Sequence, residues 1–167
     1  MQRAESVIQD YAASRGHEVQ QLVVKPTLGN LLLWRSIYKY EQQFYVDAIR
    51  VGLFSESRLY EGNSIQVYQP EVDLQGLDKS SVVYQDVMRF MSFSDDYVAL
   101  HTKYNNVLSD IRYSNQPTGL DPLWGIRFDK NKPEQHVEFS IYRNITRQNR
   151  ERYFAMLLND EYRKSVG

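Results

Sequence analysis

Residues 31–54 read LLLWRSIYKYEQQFYVDAIRVGLF and decide the fold. Aromatic and β-branched residues, which favour extended structure, recur on both sides of a short polar interruption. That interruption, at Glu41 and Gln42, indicates a tight turn. The stretch therefore predicts two strands, Leu31–Tyr40 and Phe44–Phe54, joined at the turn.

The second half of the chain predicts further strands, because apolar and polar residues alternate there. Tyr97–Lys103 and Val107–Ser114 flank Asn105-Asn106, a dipeptide that tolerates the positive φ angles of a two-residue hairpin. Residues 122–129 and 136–142 alternate in the same way. These segments together predict an antiparallel meander.

A shorter strand is predicted at Ile65–Tyr68. It follows Glu61-Gly62-Asn63, whose composition is typical of a turn. Gln69–Asp78 contains Pro70 and Gly76, and we interpret it as the longest connection in the chain.

Apolar residues at helical spacing predict three helices. These are residues 2–15, 79–92 and 147–164. The middle helix has one apolar stripe, formed by Val83, Val87, Phe90 and Met91. Asp78 or Ser80 is the expected cap of this helix, and Thr146 is the expected cap of the last one. The last helix is predicted to bury Phe154, Leu157 and Leu158.

Consecutive strands with short turns favour an antiparallel sheet, and helices are expected to cover its apolar face. The sequence therefore predicts an α+β fold, with one curved antiparallel sheet covered by N-terminal, middle and C-terminal helices. A length of 167 residues predicts a single soluble domain spanning residues 1–167.

The composition excludes several classes of protein. Apolar residues make up 42% and charged residues 25%, which is typical of a globular domain rather than a disordered one. The net charge of -1 provides no overall positive field for nucleic acid, so a nucleic-acid platform at Trp34–Tyr40 is a weak alternative. The absence of cysteine removes disulfides and thiolate catalysis. No apolar stretch reaches the roughly 20 residues that span a bilayer.

The sequence contains no recognisable reaction machinery. His17, His101 and His136 are not at the spacing of a helical metal site. No phosphate-cradling glycine loop or nucleophile elbow is present. Asp95 and Asp96 are adjacent, which predicts a turn after the middle helix rather than a cation site. We therefore predict no metal ligand and no catalytic residue in this chain.

Four charged residues form the sharpest candidate site. Asp110 and Arg112 are two apart on one predicted strand, so both side chains should leave the same face. Arg127 should point away from the apolar residues beside it. With Arg35, these residues could place guanidinium groups around one carboxylate, an arrangement suited to capturing an anion. The same arrangement could instead be a charge network that ties the sheet together.

Several short motifs, taken in order, resemble one known family. They are Lys25-Pro26-Thr27, Leu33-Trp34-Arg35, Phe44-Tyr45-Val46, Phe90-Met91-Ser92-Phe93-Ser94 with Tyr97, and Asp110-Ile111-Arg112-Tyr113. Their order and spacing resemble the soluble C-terminal domain of the YdjM-like family, which are LexA-regulated inner-membrane proteins described as metal-dependent hydrolases. The motifs cover most of positions 20–130. After Asp110 the resemblance is carried by Trp124–Phe128 and is less distinct elsewhere.

The resemblance implies that the catalytic part of the protein lies outside this chain. The family's histidine motifs, near Thr-His pairs, lie in its membrane-spanning N-terminal half, and no Thr-His pair occurs here. A divalent metal is therefore implied for that half and no cofactor for this chain. The expected partner is the membrane-spanning N-terminal region or another protein, and no nucleic acid is expected as a partner. Arg3 and Arg15 suit the cytoplasmic side of a bacterial inner membrane.

Two functions follow as hypotheses. The first is a noncatalytic regulatory or scaffolding domain of a bacterial membrane-bound hydrolase, with no hydrolytic activity of its own. The alternative is an α+β cup that binds an anionic small molecule through Arg35, Arg112 and Arg127, with Asp110 among them.

Overall fold

A computed structural model describes residues 2–27, 29, 31–52, 56–142 and 146–158. These residues form an α+β fold with two antiparallel four-stranded sheets, which confirms the predicted fold class. The strand order is β1-β2-β3-β4 in one sheet and β5-β6-β7-β8 in the other. The prediction of one curved sheet is therefore wrong. The helical segment between the fourth and fifth strands separates two sheets that the alternation pattern could not distinguish.

The elements follow one another along the chain with short connections. In order they are α1 (Gln2–Ser14), β1 (Gln21–Pro26), β2 (Leu33–Tyr40), β3 (Gln43–Arg50), β4 (Arg58–Gln66), α2 (Pro70–Asp73), α3 (Val82–Phe93), β5 (Val98–Leu100), β6 (Val107–Asp110), β7 (Trp124–Arg127), β8 (Glu138–Ile141) and α4 (Arg147–Leu158).

The chain divides into two compact units. The first comprises Met1–Ile65, Asn115–Gly119 and Asn144–Gly167, and the second comprises Gln66–Ser114 and Leu120–Arg143. Each unit has one of the sheets and its own apolar core.

The hairpin of β2 and β3 organises the first unit. Its last pair is Tyr40 with Gln43, so the turn contains two residues, as predicted. Glu41 adopts a φ of 52°, in the left-handed region that tight hairpin turns use. The second strand ends at Arg50, and the predicted extension to Phe54 runs into residues 53–55, which lie outside the described residues.

Helices cover both faces of this first sheet. The buried side of α1, with Ala4, Ile8 and Ala12, packs in one cluster with Tyr38 and Ile49. On the other face, Met156 of α4 packs in a second cluster with buried residues of the sheet. Those residues are Leu33, Ala48 and Tyr60.

The strand β4 corrects the prediction of a turn at residues 61–63. Gly62 lies inside this strand, and its backbone N–H donates to Asp47 Oδ1 at 2.9 Å. A Cβ at this position would lie 2.0 Å from the carbonyl oxygen of Val46. This glycine therefore permits a close backbone approach within the sheet and does not mark a turn.

The helix α4 agrees with the prediction only at its start. Thr146 Oγ1 accepts a hydrogen bond from the Asn149 N–H at 3.1 Å, which confirms the expected cap. Met156 is fully buried, whereas Phe154 and Leu158 are exposed, so their predicted burial is wrong. Residues 159–164 of the predicted helix lie outside the described residues.

The helix α3 forms one side of the core of the second unit. Its predicted stripe is confirmed, because Val83, Val87, Phe90 and Met91 are all buried. The cap is Ser81, not Asp78 or Ser80: the Ser81 side chain accepts a hydrogen bond from the Tyr84 N–H. The segment predicted as a connection contains the short helix α2.

The strands of the second sheet are shorter than predicted. The first two of them, β5 and β6, are joined by residues 101–106 and not by a two-residue hairpin at Asn105-Asn106. Within this connection the Lys103 N–H donates to His101 Nδ1 at 3.0 Å, and the Val107 N–H donates to the Tyr104 carbonyl. The connection is therefore held by its own hydrogen bonds.

Across the parts of the chain that are described, no helix combines the length and the apolar character needed to cross a bilayer.

Candidate functional site

Arg35 lies in β2 of the first unit and is only 5% exposed. Its Nη1 donates to the carbonyl oxygens of Gln116, Pro117 and Gly119, at 3.0, 2.8 and 2.9 Å. These three acceptors belong to one short segment of the same unit. The guanidinium therefore fixes the path of the backbone, a role that sequence spacing cannot reveal for residues more than 80 positions apart.

Asp110 and Arg112 are brought together in the second unit. Asp110 is fully buried at the end of β6, and Arg112 donates to it from Nε at 3.0 Å and from Nη2 at 2.8 Å. The Arg112 backbone N–H also donates to Asp110 Oδ1. The pair was predicted on one long strand, but the strand ends at Asp110 and Arg112 lies in the following turn.

Two further N–H groups of Arg112 are occupied as well. Its Nη1 pairs with Asp95 and its Nη2 donates to the Phe93 carbonyl oxygen at 3.0 Å. The hydrogen bonds to Asp110 raise the pKa of Arg112 above its ordinary value. This network attaches the turn after β6 to the end of α3. Asp95 and Asp96 have φ angles of 49° and 62° in the turn predicted after the middle helix.

Arg127 has a different environment. It ends β7 with an exposed side chain, while Ile126 and Phe128 beside it are buried, as the alternation predicts. Glu138 lies across from it in register on β8. Arg127 stacks at 5.9 Å over the ring of Tyr104. Within the described residues it has no carboxylate partner.

Arg127 lines a polar cleft of about 620 Å³ in the second unit. Lys130 and Lys132 line the same cleft. Lys130 donates to the Asp73 carbonyl oxygen, and Lys132 Nζ lies 4.0 Å from Asp129 Oδ2. Side-chain amides complete much of the wall. They belong to Asn105, Asn106, Asn131 and Gln135. The volume falls in the range of small-molecule sites.

His136 also lines the cleft and forms a dyad with Asp86 of α3. His136 Nδ1 lies 2.8 Å from Asp86 Oδ2, and the same oxygen accepts the Val137 N–H at 3.2 Å. The imidazole is 78% exposed, whereas the carboxylate is only 11% exposed. Partial burial opposes ionisation of Asp86, but the hydrogen bonds from His136 and Val137, with Arg89 nearby, lower its pKa.

The other two histidines lie elsewhere. His101 accepts the Lys103 N–H, and burial lowers the pKa of its imidazole. His17, in the first unit, stacks on Tyr40 with ring centroids 4.4 Å apart. Its Nδ1 lies 2.9 Å from the hydroxyl of Tyr38.

Tyr38 is the centre of a buried polar cluster in the first unit. Its hydroxyl accepts from Arg15 Nη1 at 3.1 Å, and burial raises its pKa. Arg15 Nη2 also donates to Tyr11 and to Glu61, at 2.6 and 3.0 Å, and Nη1 lies 3.8 Å from Asp47. These contacts join the end of α1 to the first sheet.

Sequence reasoning identified Arg127 but missed the rest of the cleft. Lys130 and Lys132 had no distinguishing pattern, and Asp86 and His136 are 50 positions apart on different elements. Within the described ranges, no group of three or more histidine or acidic side chains could hold a metal ion.

Comparison of the chain with protein-family models, with curated proteins and with solved structures finds no match.

Proposed function

We propose that the second unit binds a small anionic molecule in the cleft beside β7 and β8, and that the chain acts there as a noncatalytic binding domain. The observation that carries this proposal is the setting of Arg127: an exposed guanidinium, without a carboxylate partner in the described residues, in a cleft that also holds Lys130 and Lys132. Guanidinium groups bind carboxylates and phosphates through paired hydrogen bonds.

Of the three arginines that the sequence suggested for binding an anion, the proposal keeps only Arg127. Arg35 and Arg112 use their donors on carbonyl and carboxylate oxygens of their own unit. An anion that recruited either of them would have to replace those bonds. Arg127 needs no such exchange, so binding there costs less free energy.

We further propose that the chain belongs to a larger bacterial inner-membrane protein that resembles the YdjM-like family. In that setting the membrane-spanning N-terminal region would be its partner and would hold the divalent metal, and ligand binding here would regulate that part. The order of the sequence motifs supports this. We expect the same reading frame to encode hydrophobic spans upstream of Met1. A reading frame without such spans would contradict this proposal.

Isothermal titration with a panel of anions tests the binding proposal. Acetate, citrate, sulfate and inorganic phosphate represent the carboxylate and oxyanion classes. At least one should bind, and Arg127→Gln should weaken that binding about tenfold or more, since one charge-assisted contact is lost. Lys103→Gln removes a cation of the same unit outside the cleft and should leave the affinity unchanged.

Two outcomes would contradict the proposal. One is the absence of binding for every anion in the panel. The other is equal loss of affinity in Arg127→Gln and Lys103→Gln, which would indicate a diffuse charge effect rather than a site. The noncatalytic role is tested separately: the wild-type chain should not hydrolyse p-nitrophenyl phosphate or p-nitrophenyl acetate, and turnover abolished by a cleft substitution would exclude it.

A further inference from the structure

We infer that the ligand of the cleft is a phosphomonoester, recognised in part by His136 in its imidazolium form, with Asp86 as the positioning residue. This inference rests on the proposed anion site. It adds the chemical class of the ligand and the proton that accompanies binding.

The dyad determines which nitrogen of His136 is available. The Asp86 carboxylate can only accept, so the proton of the 2.8 Å hydrogen bond belongs to Nδ1. Nε2 is then the nitrogen left for a ligand. It accepts when the imidazole is neutral and donates when the imidazole is protonated. A fully ionised oxyanion can only accept, so Nε2 contacts it only in the second form.

The Asp86 carboxylate is itself held in place. It accepts from Val137, the residue after the histidine, and its Oδ1 lies 3.1 Å from Arg89 Nη1. The lowered pKa of Asp86 keeps it ionised at neutral pH. The ring of His136 is thereby oriented from α3, although it is exposed on the cleft side.

The charges around the cleft match a dianion. The cations that line it are Arg127, Lys130 and Lys132, and Arg89 pairs with Asp86 next to it. The carboxylates are Asp86, Asp129 and Glu138. Four positive and three negative groups leave a formal charge of +1, and protonation of His136 raises it to +2. Asp86 contacts the imidazole from α3 and Arg89 contacts Asp86, while the other groups line the same cleft from residues 127–132 and from β8.

A phosphate group matches the number of donors in the cleft and their charge better than a carboxylate does. A phosphomonoester presents three terminal oxygens and carries about two negative charges above a second pKa of about 6. A carboxylate presents two oxygens and one charge. The cleft offers a guanidinium, two ammonium groups, an imidazolium and several amides, which exceeds what two oxygens can accept.

The proton gives the binding a specific pH dependence. Nε2 of His136 donates to the ligand only when the imidazole is protonated, so a rise in pH removes the binding form. Below about pH 6 the phosphate itself gains a proton and loses charge. Affinity should therefore pass through a maximum in weakly acidic solution and should fall on both sides of it.

Titration of the complete chain with phenyl phosphate, a phosphomonoester with the second pKa of about 6 on which the expected pH profile depends, tests the inference. The dissociation constant is measured at pH 6.2 and pH 8.0, each in two buffers of different ionisation enthalpy, which reports proton uptake. We expect binding about five- to tenfold tighter at the lower pH, with net proton uptake at pH 8.0. His136→Gln should abolish both effects while retaining weak binding through Arg127.

Two further variants test whether Asp86 acts by positioning the His136 ring and whether the pH dependence is specific to His136. Asp86→Asn should reduce the affinity at pH 6.2 less than His136→Gln does, because the ring remains but loses its fixed orientation. His101→Gln removes the other histidine of the second unit and should leave the pH dependence intact.

The outcomes distinguish this inference from the proposed function. A phenyl phosphate affinity that is equal at both pH values, or that keeps its pH dependence in His136→Gln, overturns the inference and leaves the anion site standing. Acetate or citrate binding in the absence of phenyl phosphate binding does the same. If no anion binds at any pH, both proposals fail together.

Discussion

Arg112 and Arg127 belong to the same unit of the protein and have opposite environments. Arg112 is 9% exposed and donates to two carboxylates and a carbonyl oxygen. Arg127 is exposed, contacts one aromatic ring and lines a cleft. The difference shows that the position of an arginine in sequence says little about its role. A guanidinium that uses most of its donors on groups inside the fold stabilises the fold, whereas an exposed guanidinium in a cleft can bind a ligand.

The largest expected effect is a loss of stability when the buried arginine, Arg112, is removed. Arg112→Ala leaves the fully buried Asp110 without its charge partner, which should cost about 3–5 kcal/mol of unfolding free energy. Urea denaturation at pH 7 measures the change. Arg127→Ala is the matched control and should remain close to wild type. A loss below about 1 kcal/mol for Arg112→Ala would mean that the network stabilises little.

The polar cluster of the first unit should show an intermediate effect. Tyr38→Phe removes a buried hydroxyl that accepts from Arg15 and lies beside His17. Hydrogen bonds to charged groups are worth about 1.5–3 kcal/mol, so a loss of that size is expected. Tyr45→Phe, on the next strand, serves as the control. Equal unfolding free energies for the two variants would show that the Tyr38 hydroxyl does not stabilise the fold.

The pair of Asp86 and His136 should make a smaller contribution to the unfolding free energy, and this contribution should depend on pH. The pKa of Asp86 is lowered by folding, so its stabilisation is present above its unfolded pKa of about 3.9 and is lost as pH falls through the folded value. Because His136 is exposed, this contribution should stay below about 1 kcal/mol. Unfolding of wild type and Asp86→Asn should therefore differ at pH 7 and converge near pH 2. A difference in unfolding free energy that persists at low pH would mean that the substitution disturbs packing and not a charge interaction.

The smallest effect on stability should come from the cleft itself. Arg127→Gln should change the unfolding free energy by less than about 0.5 kcal/mol, since an exposed side chain without an ion pair is removed. Thermal unfolding with and without phosphate checks this. The variant should match wild type alone and lose the stabilisation by phosphate. A large loss of stability without ligand would place Arg127 with Arg112 as a structural residue.

Local patterns were sufficient for several of the elements and for the direction of one side chain. The hairpin turn at Glu41 and the apolar stripe of α3 follow from polarity and spacing alone. So does the outward direction of Arg127, because alternation along a strand is a property of neighbours. The cap at Ser81 was missed by one position, which is within the usual uncertainty of helix ends.

Features that depend on distant residues could not be predicted. Gly62 was interpreted as turn material, because only the position of Val46 reveals the close approach that requires it. Arg35 looked like a ligand residue, because its carbonyl partners are more than 80 positions away. The dyad of Asp86 and His136 likewise joins a helix to a segment 50 residues later.

The attachment of Val137 to Asp86 has one more consequence, which concerns hydrogen exchange. The Val137 amide points at a side chain of α3 and is not tied to a neighbouring strand. In deuterated solvent its exchange rate should therefore report how often the approach to β8 detaches from the helix. Faster exchange at this single amide in Asp86→Asn, with the amides of β6 unchanged, would measure a local opening that the overall unfolding free energy does not register.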